Sequence, residues 1–187
     1  MTQFLISDPV REATVTYVTS WIDAATQQGV VEALTAMAPS YEASGLRAPR
    51  LIAAFADPGV SGGGMDQEHP WPAPVATLRD RLAEEAGHPF NYAIVNWYRD
   101  GTDFVGWHPD KIDLHVPDTS IAILSLGAPR PLRFRAIADG APLAEFTLAS
   151  GSVLWMAGEL QRHYEHSVPK DPAITSPRFS ITFRNIL

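Results

Sequence analysis

The spacing of apolar positions changes character once along the chain, near Gly87. Before that point two segments read as helices. Ser20 to Leu34 is helical in composition, with one glycine inside it and Pro39 beyond it as a stop. In Pro74 to Gly87, Val75, Leu78, Leu82 and Ala83 recur at helical spacing, Pro74 suits the first turn and Gly87 suits the C-terminal stop. Between the two, Pro49 to Phe55 reads as a strand. After Gly87 the pattern turns to short runs broken by glycine and proline. Asn91–Arg99, Thr119–Leu126, Leu132–Arg135, Ala144–Leu148, Ser152–Met156 and Arg178–Arg184 are the strands it predicts. Helices followed by many short strands point to an α+β domain built on a sandwich or barrel of antiparallel sheets.

One stretch fits neither pattern. Asp57-Pro58-Gly59-Val60-Ser61-Gly62-Gly63-Gly64-Met65 has little that can pack a core and three consecutive glycines. It reads either as a surface linker or as an active-site lid over Gly59 to Met65 that orders with substrate.

The closing strand alternates without a break. Phe179, Ile181 and Phe183 fall on one face, and Arg178, Ser180, Thr182 and Arg184 on the other. Two arginines on one face sit either in water or against a cavity. In a cavity they would need an anion, because a buried charge without a partner is unfavourable by several kcal/mol. A dicarboxylate offers a carboxylate for two-pronged pairing with a guanidinium.

Composition narrows the classes. A chain of 187 residues is one domain of ordinary size, and with 45% apolar residues it can bury a core. It has no run of apolar residues long enough to span a bilayer, and its first residues show no basic or apolar leader. We expect a cytoplasmic monomer with no membrane association. Cysteine is absent, which excludes disulfides, thiolate metal sites and a cysteine nucleophile. The formal charge of −7 weighs against tight non-specific binding to nucleic acid. The only lysines are Lys111 and Lys170, so most of the positive charge is arginine.

The candidate chemistry lies in two histidine segments. In Gly106-Trp107-His108-Pro109-Asp110, an imidazole and a carboxylate two residues apart point to one side of an extended segment and can share a metal ion. Alone, His-x-Asp is a common pair. His163-Tyr164-Glu165-His166 lies far along the chain and reaches the first segment only if the fold brings it there. Two histidines and one carboxylate make the facial triad of non-haem iron(II) oxygenases, with positions left open for cosubstrate and oxygen. His166 is preferred to His163, which would face the other side of a strand.

Taken in order, these segments resemble the AlkB-like family of iron(II)/2-oxoglutarate dioxygenases. The resemblance starts near Pro49-Arg50, strengthens from Gly87-His88-Pro89-Phe90-Asn91, and runs through Asn91–Arg99, His108-x-Asp110, Leu124–Ala128, Gly151–Gly158, His166–Pro169 and the closing Arg178–Arg184. It implies a double-stranded β-helix, or jelly roll, with the two helices packed outside. Residues 1–187 would form a single domain, with 1–48 an N-terminal helical and strand region and 49–187 the lid and jelly-roll core. It implies that His108, Asp110 and His166 hold Fe(II), on a loop outside the core in the case of Asp110. Arg178, helped by Tyr98, would take the distal carboxylate of 2-oxoglutarate, with Asn96 and Arg184 near the end that chelates iron. Ser180 would line the same site, although many members have asparagine there. With O2 as the third reactant, the family hydroxylates N-methyl groups on damaged bases, and the product loses formaldehyde. The implied partner is alkylated single- or double-stranded nucleic acid.

One departure bears on substrate. Nucleobase-repairing members carry an acidic residue two positions after the aspartate ligand, and this chain has Ile112. Asp113 can replace it only through a one-residue shift of the loop. Asp113, Lys111 and Trp107 are therefore the candidate substrate contacts. Two other readings stand beside the first: the same chemistry on a protein or small molecule, which the negative charge favours, and a jelly-roll binding module that has lost catalysis.

Overall fold

A computed structural model describes residues 2–44, 49–62, 65 and 67–187. In chain order its elements are β1 (Thr2–Asp8), β2 (Ala13–Val18), α1 (Ala24–Ala36), β3 (Glu42–Ala43), β4 (Leu51–Ala56), β5 (Glu68–His69), α2 (Ala73–Ala86), β6 (Tyr92–Tyr98), β7 (Val105–His108), β8 (Ile121–Gly127), β9 (Arg130–Ala136), β10 (Pro142–Leu148), β11 (Ser152–Gly158), α3 (Leu160–His163), β12 (Tyr164–Val168) and β13 (Arg178–Arg184).

The helices begin and end where local chemistry directs. The Asp23 side chain accepts from the Thr26 amide at 2.8 Å, so α1 starts after Asp23 and not at Ser20. Gly87 closes α2 in the left-handed region at φ 72°, its amide donating to the Ala83 carbonyl at 3.0 Å. Among the described residues no helix is long and apolar enough to cross a membrane.

The strands form two sheets. The larger runs β1-β2-β11-β8-β13-β6-β4-β3, with β5 beside β4, and the smaller runs β10-β9-β12-β7. This is the expected jelly roll. The sequence patterns do not predict β1, β2, β3, β5, β7, β12 or α3. Ala13 to Val18 alternates buried and half-buried positions, a signal that was available. β7 has four residues and β12 five, too few for a period to show.

The larger sheet carries a core on each face. On its outer face Val30 and Leu34 of α1 and Val75, Leu78 and Leu82 of α2 pack against Val95, Leu124, Phe179, Ile181 and Phe183. The helices thus lie outside the roll, as expected. Each fully buried side chain of this kind contributes about 1.5–3 kcal/mol. On the inner face Val15, Ile121, Leu154 and Met156 meet Leu132, Phe134, Leu148 and Val168 of the smaller sheet or its edge. That second core fills one part of the space between the sheets, and a cavity occupies another.

Candidate metal and cosubstrate site

Strand pairing brings the two histidine segments together. In the antiparallel β7–β12 ladder His108 stands directly opposite His166. Directly opposed residues have neighbouring side chains, and these rings lie 4.5 Å apart between centres. Asp110, just past the end of β7, reaches the same point. Its Oδ1 is 4.0 Å from His108 Nε2 and 3.9 Å from His166 Nε2. All three ligand atoms lie within 4.8 Å of one another.

The surroundings suit a metal. The His108 Nδ1 lies 2.8 Å from the Gly106 carbonyl. A carbonyl only accepts, so Nδ1 carries the proton and Nε2 keeps its lone pair for a ligand bond. Burial pushes the His166 imidazole down to about 4, against the pull of Asp110, so it is neutral at physiological pH. Burial pushes the Asp110 carboxyl up, but the charge of Arg184 and the two imidazoles outweigh it and hold the group down at about 2. Asp110 Oδ2 is buried and has no hydrogen-bond partner among the described residues. Two imidazole nitrogens and a carboxylate on one point are the donor set of a facial iron(II) site.

Asp110 does lie on a loop, but the expectation that it stands outside the core is corrected. It is 8% exposed, and its amide donates to Gln161 Oε1 at 2.8 Å. Gln161 sits in α3, one turn before β12, and nothing in the sequence singled it out. His163, in the same helix, is exposed and turned away from the cluster.

The cluster opens into a cavity of about 620 Å³ between the sheets. The polar face of β13 forms part of its wall: Arg178, Ser180, Thr182 and Arg184 all line it. All seven residues of β13 are buried, because β6 and β8 flank the strand and the smaller sheet covers it. Its arginines therefore face the cavity and not bulk water. Register sets Arg178 beside Tyr98 and Ser180 beside Asn96.

The guanidinium of Arg178 lies 5.2 Å from the Tyr98 ring centre and donates to Ser125 Oγ at 2.9 Å. Among the described residues its Nε and Nη1 make no hydrogen bond of normal geometry, although Tyr98 stands beside the group. Arg184 Nη2 bonds Asp110 Oδ1 at 3.0 Å. Arg50 Nε donates to Asn96 Oδ1 at 2.6 Å, which leaves the amide NH2 of Asn96 for a ligand oxygen. In the sequence Arg50 stands out only as the start of the resemblance. The lining holds Arg50, Lys111, Arg178 and Arg184 against Asp110 and Asp113, a positive site inside a chain of charge −7.

Lys111 and Asp113 line this cavity, whereas Ile112 is not part of its wall. Trp107 is not in that wall either. It alternates with His108 along β7, so it projects from the other side of the sheet, where Arg135 lies 4.3 Å from its ring centre. Of the glycine-rich segment, Gly63 and Gly64 lie outside the described residues. Gly62 and Met65 line the cavity, and a Cβ at Gly62 would come within 2.3 Å of the Tyr92 ring.

Residues 64–184 match the family model described as the 2OG-Fe(II) oxygenase superfamily. The chain belongs to that superfamily. Its curated relatives include the DNA oxidative demethylase ALKBH2 of Mus musculus, 34% identical over 149 residues that cover 74% of this chain and 62% of the relative. The human ALKBH2 is 32% identical, over 74% of this chain and 57% of the relative. The human alpha-ketoglutarate-dependent dioxygenase alkB homolog 3 is 32% identical, over 65% and 46%. The chain thus spans about three fifths or less of these relatives' length. A solved structure of OsALKBH1 superposes with a TM-score of 0.65 at 16% identity, covering 91% of this chain and 97% of that one. It shows the shared fold. The AlkB-like resemblance read from the motifs is borne out by these relatives.

Proposed function

We propose that this protein is an iron(II)- and 2-oxoglutarate-dependent oxidative demethylase of N-alkylated bases in DNA or RNA. One observation carries the reading: one cavity joins the His108, Asp110 and His166 cluster to a buried Arg178 that has no carboxylate partner among the described residues. In this reading residues 1–187 act as one dioxygenase domain, and the three clustered residues hold iron. When bound, iron with 2-oxoglutarate and O2 supplies the oxidation of a C–H bond on the substrate.

The chain's own residues bind, orient and exclude water. His166 and Asp110 present a neutral and an anionic ligand without first changing protonation, because burial and Arg184 have set both. Gln161 and the Gly106 carbonyl fix the Asp110 loop and the His108 ring. Arg178 and Tyr98 take the distal carboxylate of 2-oxoglutarate. Asn96 and Ser180 line its path, and Arg184 stands beside the metal. The walls of Ile94, Leu114 and Ile186 keep the remaining space apolar.

The relatives named as DNA oxidative demethylases support a nucleobase substrate, and the local positive lining suits a polyanion better than the net charge does. With Ile112 outside the wall and Asp113 in it, Asp113 is the carboxylate that would meet an exocyclic amine. The net charge favours a second reading, the same chemistry on a protein or small molecule.

The experiment is a screen of single-stranded oligonucleotides carrying N1-methyladenine or N3-methylcytosine, repeated with Asp113→Ala. Repair that is lost in the variant supports both the substrate class and the shifted carboxylate. Intact 2-oxoglutarate turnover with no repaired base would defeat the nucleic-acid reading and leave the second.

A further inference from the structure

Tyr98 has a second cation beside it. Arg130, in β9 of the smaller sheet, brings its guanidinium carbon to 5.4 Å from the Tyr98 ring centre, nearly as close as Arg178 at 5.2 Å. The two arginines are 1% and 2% exposed. Arg130 donates to the main-chain carbonyls of Asp100, Asp103 and Pro169 at 3.0, 2.8 and 2.7 Å. Carbonyls solvate a cation but do not neutralise it. The Asp103 carboxylate is taken by Arg99 at 2.8 Å, and Arg130 Nε has no partner among the described residues.

Two buried like charges around one ring repel each other and lose hydration, and among the described residues neither has a carboxylate ion pair. Burial lowers the pKa of both guanidinium groups, which marks the same unfavourable balance. An apolar side chain of similar length would avoid that repulsion but would leave three main-chain carbonyls without their donor. The three carbonyls and the Tyr98 ring hold Arg130 in place, and an anion at the Arg178 end of the cavity would offset the remaining repulsion. Arg130 does not line the cavity itself, so its charge acts across Tyr98.

We propose that Arg130 is a positioning and specificity-determining residue for the cosubstrate: with Arg178 it makes the far end of the cavity doubly positive and so selects a 2-oxo dicarboxylate over a 2-oxo monocarboxylate. The proposal rests on the reading that 2-oxoglutarate binds with its distal carboxylate at Arg178.

The test measures binding by calorimetry to the full chain, with and without a divalent metal, of 2-oxoglutarate, glutarate and 2-oxobutyrate. Glutarate keeps both carboxylates and lacks the oxo group, and 2-oxobutyrate keeps the oxo acid and lacks the distal carboxylate. Arg130→Gln, which retains donors for the carbonyls, should weaken 2-oxoglutarate and glutarate by about tenfold. It should leave 2-oxobutyrate within about twofold, and Arg130→Lys should recover most of the loss. A merely structural Arg130 would weaken all three ligands alike, and that result overturns the proposal, as does no effect on any. Arg178→Met is the separate control. If it leaves 2-oxoglutarate affinity unchanged, the placement of the carboxylate is wrong and the proposal falls with it. Should Arg130→Gln not fold, the side-chain Nε–H resonance of Arg130 in the wild type decides. It should shift with glutarate and stay fixed with 2-oxobutyrate, and a resonance indifferent to glutarate overturns the role.

Discussion

Arg184 donates to the Asp110 carboxylate at 3.0 Å, and both residues are buried, at 9% and 8% exposure. The contact joins the last residue of β13 to the loop after β7. It also makes Asp110 more than a ligand, because its removal leaves Arg184 buried without its counter-ion.

Asp110→Ala should therefore lose metal binding and stability together. Breaking a buried ion pair on one side is worth about 3 kcal/mol. Asp110→Asn keeps the shape and an oxygen acceptor for Arg184, so it should lose the metal with a smaller stability change. Denaturant unfolding of both variants beside a metal titration separates the two effects. Equal stability for wild type and Asp110→Ala would mean the pair contributes nothing to the fold.

Arg178→Ala removes the cation expected to meet the distal carboxylate. Hydrogen bonds to charged groups are worth about 1.5–3 kcal/mol, so 2-oxoglutarate affinity should fall by about tenfold or more. A titration that reproduces wild-type affinity would place the cosubstrate elsewhere in the cavity.

His166→Ala should abolish metal binding, whereas His163→Ala should leave it nearly unchanged, since His163 is exposed in α3. Gln161→Leu tests the support of the Asp110 loop. Losing a partner of this kind lowers metal affinity by about 10–100-fold. The reverse ranking of the two histidines would reassign the third ligand.

Mild acid should weaken the metal-free protein. An unfolded imidazole titrates near 6.5, and His166 in the fold only at about 4. Between those values the unfolded chain binds a proton that the folded chain does not. Stability from this group is thus complete above about 6.5 and falls as pH drops toward 4, by up to about 1.4 kcal/mol per pH unit. His115, also pushed down by burial, acts in the same direction. Asp110 adds its own loss only below its ordinary value of 3.8. Urea midpoints in the presence of a chelator check this, and a midpoint unchanged between about pH 7 and about pH 5 would show that neither imidazole is protected.

What the sequence by itself determined is the local part. α2 is written in Pro74, its apolar spacing and Gly87, because helix entry, face and stop depend on residues within a few positions. β13 is equally legible, since its seven residues alternate perfectly and are long enough for the period to show. The ordered motifs also pointed to His108, Asp110, His166 and the two arginines as one set. The tertiary structure alone decided what that set faces. Alternation puts Arg178 and Arg184 on one side of a strand but does not say whether that side meets water. Flanking by β6 and β8, under the smaller sheet, turned it into a cavity wall. In the same way, His108 and His166 meet through the register of two short strands more than fifty residues apart in sequence. Pairing of that kind is a long-range contact, and neither strand carries it in its own residues. Arg130 and Gln161 went unnoticed for the same reason: each acts through what the fold sets beside it, Tyr98 for one and the Asp110 amide for the other.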